Sequence, residues 1–169
     1  MRTPTINSKA LTLCAVFASL AFTTQAQAGA AKDGSMAMPA DYKQWDAFLS
    51  GIEKKSGHIR DIYINSIGAK AQKGQPFADG TVSVMEIYKA SGSAGSMTKG
   101  ELQKVFVMYK NVGNGKYAPA GLQNGDWAYS AFDGKGNKLD VNYDGCRSCH
   151  LPLTTSDYIF HYDKYFANR

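Results

Sequence analysis

Cys146 and Cys149 stand three positions apart and His150 follows directly, so Cys146-Arg147-Ser148-Cys149-His150 has the C-x-x-C-H form that attaches a c-type haem covalently. On one helical turn, two thiols at this spacing reach the two vinyl groups of one porphyrin. The adjacent imidazole then falls beneath the iron as its proximal ligand. Thioether bonds do not dissociate, so one haem c per chain stays attached even in a pocket too shallow to hold it by burial. The same residue types serve two other chemistries. A zinc site wants a second pair of ligands, and the remaining histidines, His58 and His161, do not form one at a recognisable spacing. A Cys146–Cys149 disulfide beside an incidental histidine stays open as the alternative.

The N-terminus bears on that choice. Arg2 and Lys9 make a positive start, Ala10 to Phe22 an apolar core, and Ala26-Gln27-Ala28 an A-x-A cleavage site, so residues 1–28 read as a signal peptide exporting the chain to the periplasm. The apolar run is short for a membrane span and no second run follows, so no membrane anchoring is expected. Cys14 lies in the signal core and leaves with it. The mature chain then carries only the two motif cysteines, and no structural disulfide is available to staple the fold.

What remains, residues 29–169, is 141 residues, enough for a single domain with an embedded cofactor. Losing Arg2 and Lys9 lowers the formal charge from +5 to +3. This mild excess shows no clustering of Lys and Arg with aromatics, and nucleic-acid binding has no support.

The elements that must position the motif are mostly strands. Residues 29–38, small and Gly/Ala/Ser-rich, read as a flexible N-terminal segment ahead of one haem-binding domain over 39–169. Pro39-Ala40-Asp41 supplies a cap, and the spacing of Tyr42, Trp45, Phe48, Leu49 and Ile52 predicts a helix from about Asp41 to Lys54. β-branched and aromatic residues predict strands over Ile59–Ile64, Thr81–Tyr88, Leu102–Tyr109 and Trp127–Phe132. Gly-containing turns separate them, at Asp79-Gly80, over 91–96 and over 111–115.

This organisation separates haem classes. Small helical electron carriers have an early motif and a downstream methionine ligand, whereas only nineteen residues follow His150 here and none is methionine. A four-helix bundle with a late motif conflicts with the strand-rich middle. The expectation is an α+β fold, an antiparallel β-sheet with a few helices and the haem attached near the C-terminus.

Six blocks in order, PADYKQW (39–45), IRDIYIN (59–65), FADGTVSVMEIYK (77–89), DWAYSAFD (126–133), GCRSCH (145–150) and SDYIFHYDKYF (156–166), resemble the cytochrome P-460 and cytochrome c′-beta superfamily, and cytochrome c′-beta more closely. The resemblance implies a homodimer with one haem c per subunit, iron ligated by His150, and an open or sterically guarded distal side. Two functions diverge within it. Cytochromes P-460 oxidise hydroxylamine and carry an extra bond from a strand lysine to the porphyrin; the resemblance places that lysine at Met85, whose thioether cannot make the bond. Cytochromes c′-beta cap the iron with two phenylalanines, and Phe48, on the expected helix, and Phe77 look like that pair. An apolar cap gives a polar ligand such as dioxygen no hydrogen bond while admitting nitric oxide or carbon monoxide.

The expected function is therefore a periplasmic mono-haem cytochrome binding nitric oxide or a similar small gas at a high-spin iron, with a possible redox partner. A hydroxylamine-oxidising enzyme and a low-spin electron-transfer cytochrome are the alternatives. Met85 is expected to pack against the haem, and as a sixth ligand it would instead close the iron for electron transfer. Arg60 is a candidate partner for a haem propionate or distal ligand, with a surface salt bridge as its bland reading.

Overall fold

The computed structural model describes residues 29–169. The signal-peptide reading for 1–28, Cys14 included, lies outside the described residues. Five strands, β1 (Asp46–Lys54), β2 (His58–Ile64), β3 (Val82–Ser91), β4 (Thr98–Lys110) and β5 (Trp127–Asp133), form one antiparallel sheet in chain order. Two short helices follow, α1 (Asp144–His150) and α2 (Tyr162–Ala167), the first carrying the cysteine motif. Among the described residues no helix is long and apolar enough to cross a membrane.

The predicted helix over 41–54 is corrected. Only Tyr42–Gln44 makes a 3-10 turn, and Asp46–Lys54 is an edge strand. Its register against β2 shifts between Ala47 and Leu49 and again between Leu49 and Ile52. Each irregularity inserts a residue into the two-residue alternation, so the apolar positions fall three and four apart and imitate a helical face. Phe48 and Leu49 both turn inward there, and Gly51 takes a φ of +67° that a helix interior would not use. The other four strands stand where β-propensity places them.

Strand alternation gives the sheet two unlike faces. One carries Val84, Val105, Val107 and Phe132 with Tyr42, and among them the fully buried Glu86. Three phenols, Tyr42 (2.7 Å), Tyr88 (2.7 Å) and Tyr63 (3.1 Å), donate to the Glu86 carboxylate, and Lys43 Nζ lies 3.2 Å away. The opposite face packs Ile62, Ile64, Trp127, Tyr129 and Ala131 against α1, α2 and the connecting tail.

The segment over 29–38 bonds to the domain at several points. Asp33 takes a two-pronged bond from the fully buried Arg147 guanidinium (Nε to Oδ2 2.7 Å, Nη2 to Oδ1 2.8 Å) and accepts from the Tyr129 backbone N–H. Ala31 N–H donates to Asn114 Oδ1 and Gly34 N–H to the Tyr129 carbonyl. A buried arginine needs a carboxylate partner, and this segment supplies it.

Candidate functional site

The second face of the sheet forms the floor of a cavity of about 710 Å³, within the size range that encloses a cofactor. Register pairs make the floor in rows. Ile64, Ser83, Met108 and Tyr129 make one row, Ile62, Met85, Phe106 and Ala131 the next, and Arg60, Ile87 and Lys104 a third. Met85 therefore sits in the middle row at the centre of the sheet. Phe48 enters from the bulged part of β1, stacked on Tyr165 at 4.0 Å between ring centroids.

Facing this floor, the same cavity is lined by Cys146, Cys149 and His150. Their spacing on α1 puts both sulfurs on one side of the helix. Both thiols are free, Cys149 exposed and Cys146 half-buried, with burial pushing the Cys146 thiol up. Among the described residues no group of three or more His, Cys, Asp or Glu is placed to hold a metal ion by itself.

His150 Nδ1 lies 2.7 Å from the Tyr158 carbonyl oxygen. A carbonyl only accepts, so Nδ1 carries the proton and the neutral ring keeps its Nε2 lone pair for a metal. Burial lowers the imidazole's pKa and favours that neutral form, outweighing the Tyr158 bond that acts the other way. Tyr129 and Phe160 meet the ring edge-on, at 5.6 and 4.9 Å between centroids.

The cavity is polarised along the strands. Tyr129, beside the histidine, is in the first row. Lys54, Arg60 and Lys104 line the other end, and the row of Arg60 and Lys104 is two steps, roughly 13 Å, further along the strands. Among the described residues no Asp or Glu lines the cavity. Two buried polar atoms of lining residues, Arg60 Nε and Tyr129 Oη, have no hydrogen-bond partner within the protein. An unsatisfied buried donor is costly, so these are places where a bound group completes the bonding.

A haem fits this chemistry. It needs thiols for its vinyl edge, a neutral imidazole for its iron, an apolar bed for its ring, and cations for the carboxylates on the edge away from the vinyls. Cys146 and Cys149, His150, the row of Ile62, Met85 and Phe106, and the cations Lys54, Arg60 and Lys104 would supply these in turn. His161, at the cationic end, has its pKa lowered by burial and by the charges of Lys54, Lys164 and Arg60.

Of the sequence candidates, the structure brings Cys146, Cys149, His150, Met85, Arg60 and Phe48 to one cavity, and it does not bring Phe77. Phe77 is buried elsewhere, edge-on to Trp127 and Tyr162 at 6.2 and 6.1 Å, and its N–H donates to Asp157 Oδ2 at 2.8 Å. That bond fixes the 71–79 loop with the ring pointing into the core. Of the two phenylalanines, Phe48 lines the cavity and Phe77 does not. Sequence reading missed Tyr129, Phe106 and Lys104 as lining residues. Their signal was the two-residue alternation in β4 and β5, which names the faces but not which face meets the motif.

A family model described as cytochrome P460 matches residues 39–161. A comparison with curated proteins finds no match.

Proposed function

The chain belongs to the cytochrome P460 family, a family of haem cytochromes, and on that premise we propose that it is an exported, dimeric, mono-haem c-type cytochrome that binds nitric oxide or a similar small neutral gas. In this reading Cys146 and Cys149 hold the porphyrin and His150 ligates the iron. Arg60, Lys54 and Lys104 pair with its carboxylates, and Phe48 guards the open side. The observation that carries it is the cavity lining, in which Phe48, Ile62, Met85, Phe106 and Met108 make an apolar bed and, among the described residues, no carboxylate takes part. Oxidising hydroxylamine releases protons as well as electrons, and the imidazoles that could accept them, His58 and His161, line the cationic end of the cavity rather than the apolar bed. An apolar lining instead selects neutral diatomic ligands by withholding hydrogen bonds from polar ones.

Met85 adds to this. It stands at the centre of the floor, where the resemblance expects the cross-linking lysine of the hydroxylamine oxidisers, and a thioether is no nucleophile toward a porphyrin edge. One observation favours the enzyme as a second reading: the amines of Lys54 and Lys104 also line the cavity. The absorption spectrum and intact mass of the purified holoprotein decide between the two. An ordinary Soret band that shifts on adding nitric oxide to reduced protein, with a tryptic haem peptide confined to the Cys146–His150 region, is the expected result. A strongly red-shifted Soret and a porphyrin bonded to a third side chain would restore the enzyme. A low-spin spectrum indifferent to gas would mean that a methionine, Met85 or Met108, closes the iron for electron transfer.

A further inference from the structure

Among the described residues, three other than glycine adopt a left-handed backbone, Asp157 (φ 52°), Tyr158 (φ 63°) and His161 (φ 61°). All three follow the cysteine motif. Two in succession carry an energetic cost that persists only when the surroundings over-determine the conformation. Here the surroundings do so at Asp157. Its carboxylate Oδ2 accepts from Lys110 Nζ at 2.5 Å and from the Phe77 N–H at 2.8 Å, and its carbonyl accepts the Trp127 indole N–H at 2.8 Å. Lys110 and Asp157 are nearly buried, with side chains 11% and 12% exposed. The end of β4 and the 71–79 loop thus converge on the Asp157 side chain, and the start of β5 on its backbone carbonyl.

The next residue, Tyr158, presents the carbonyl that accepts from His150 Nδ1 at 2.7 Å. Its own N–H returns to the Leu153 carbonyl at 2.7 Å, closing the loop beneath the imidazole. Without the tethers on Asp157 the backbone would relax to negative φ and the Tyr158 carbonyl would turn off the ring. We propose that Asp157, held by Lys110, is a positioning residue for the proximal histidine: the pair keeps a strained loop in place so that Tyr158 accepts the Nδ1 proton, which fixes the ring's tautomer and rotation and strengthens its donation to iron. A group that accepts the far-side N–H of a ligating histidine tunes the metal through that ligand. The proposal rests on His150 ligating a haem iron, and it gives Phe77 a place on the proximal side through its backbone. It also means that an ion pair outside the cavity lining sets how tightly the iron holds a ligand.

The test uses holoprotein of the wild type and of Lys110→Met, Asp157→Ala and Asp157→Asn. The iron–histidine stretch of the reduced protein is read by resonance Raman and the reduction potential by titration. Asp157→Ala and Lys110→Met are expected to lower the stretching frequency and raise the potential, because weaker donation favours ferrous iron. Asp157→Asn, which still accepts from the Phe77 N–H and tolerates positive φ, should fall between them and the wild type. Lys110→Met keeps the apolar stem and provides the test should the Asp157 variants fail to fold. Haem-loaded variants with wild-type frequency and potential would overturn the proposal. Wild-type protein with no covalent haem in the pyridine haemochrome assay would overturn the underlying reading of His150 instead.

Discussion

Phe48 is 4% exposed, is stacked on Tyr165, and lines the cavity at the same time, so one ring both packs the core and faces the cavity. Replacing it by alanine removes ring volume that neighbours cannot refill. Phe48→Ala should cost on the order of 3 kcal/mol of stability and speed gas association or admit water to the iron. Stopped-flow mixing with carbon monoxide checks this, and an unchanged rate and spectrum would remove Phe48 from the guard. Arg60 and Tyr129 show the complementary case of polar groups on an otherwise apolar bed. Neither Arg60 Nε nor Tyr129 Oη is satisfied by the protein, and a buried donor without a partner marks a place built for something else. Tyr129 also shows what burial does to a phenol, pushing its pKa up so that it stays protonated beside the histidine.

At the scale of elements, two glycines separate space from conformation. A Cβ on Gly134, just past β5, would lie 1.9 Å from the Leu102 carbonyl oxygen of β4, whereas one on Gly51 would meet nothing within 4 Å. Gly51 is instead constrained by its φ of +67° and by its N–H, which donates to Asp61 Oδ1 at 2.9 Å. Gly134→Ala should therefore cost roughly 2–3 kcal/mol by forcing β4 and β5 apart, and Gly51→Ala roughly 1 kcal/mol from the left-handed backbone. Urea unfolding midpoints rank the two, and the reverse order would contradict the packing at Leu102. The bulge at Gly51 also explains why β1 was legible as ordered but not as a strand. Its apolar spacing belongs to the bulge, whose existence depends on pairing with β2.

Across the whole molecule, the sheet separates a cofactor face from a face organised around Glu86. Burial alone raises the Glu86 carboxyl, and the bonds from Tyr88, Tyr42 and Lys43 outweigh it, leaving its pKa below the ordinary value. In the unfolded chain the group binds its proton at the ordinary, higher pH. The resulting stability is thus present above the ordinary carboxylate pKa and is lost as pH falls through the depressed one. The three phenols are shifted the other way, chiefly by burial and then by Glu86, with Tyr63 raised to about 12. Their contribution is complete below the ordinary phenol pKa and is lost as pH rises through the raised values. The Glu86→Gln variant should be less stable at neutral pH and have a shallower acid limb than the wild type. Melting temperatures over a pH series check it, and equal acid slopes would show that Glu86 is not what acid attacks. The Asp33–Arg147 pair ties the start of the described chain to α1, so that the helix bearing the cysteines is held by a segment more than a hundred residues earlier.

Much of this was local and hence readable in the sequence. Two cysteines and a histidine within five residues specify their own spacing on any helical turn, and β-branched runs such as Ile59–Ile64 specify their own extension; neither depends on the rest of the chain. The six ordered blocks carried the family, because order and spacing survive without coordinates. The tertiary structure alone decided what depends on contacts between distant residues. It made β1 a bulged edge strand, put Met85, Arg60 and Phe48 around one cavity, and packed the Phe77 ring against Trp127 and Tyr162. It also paired Asp33 with Arg147. The physical reason is common to all four. A side chain's face is set by strand register, and the partner of a buried charge by whichever segment folds over it. Both are properties of pairing, and the composition of a single segment does not contain them.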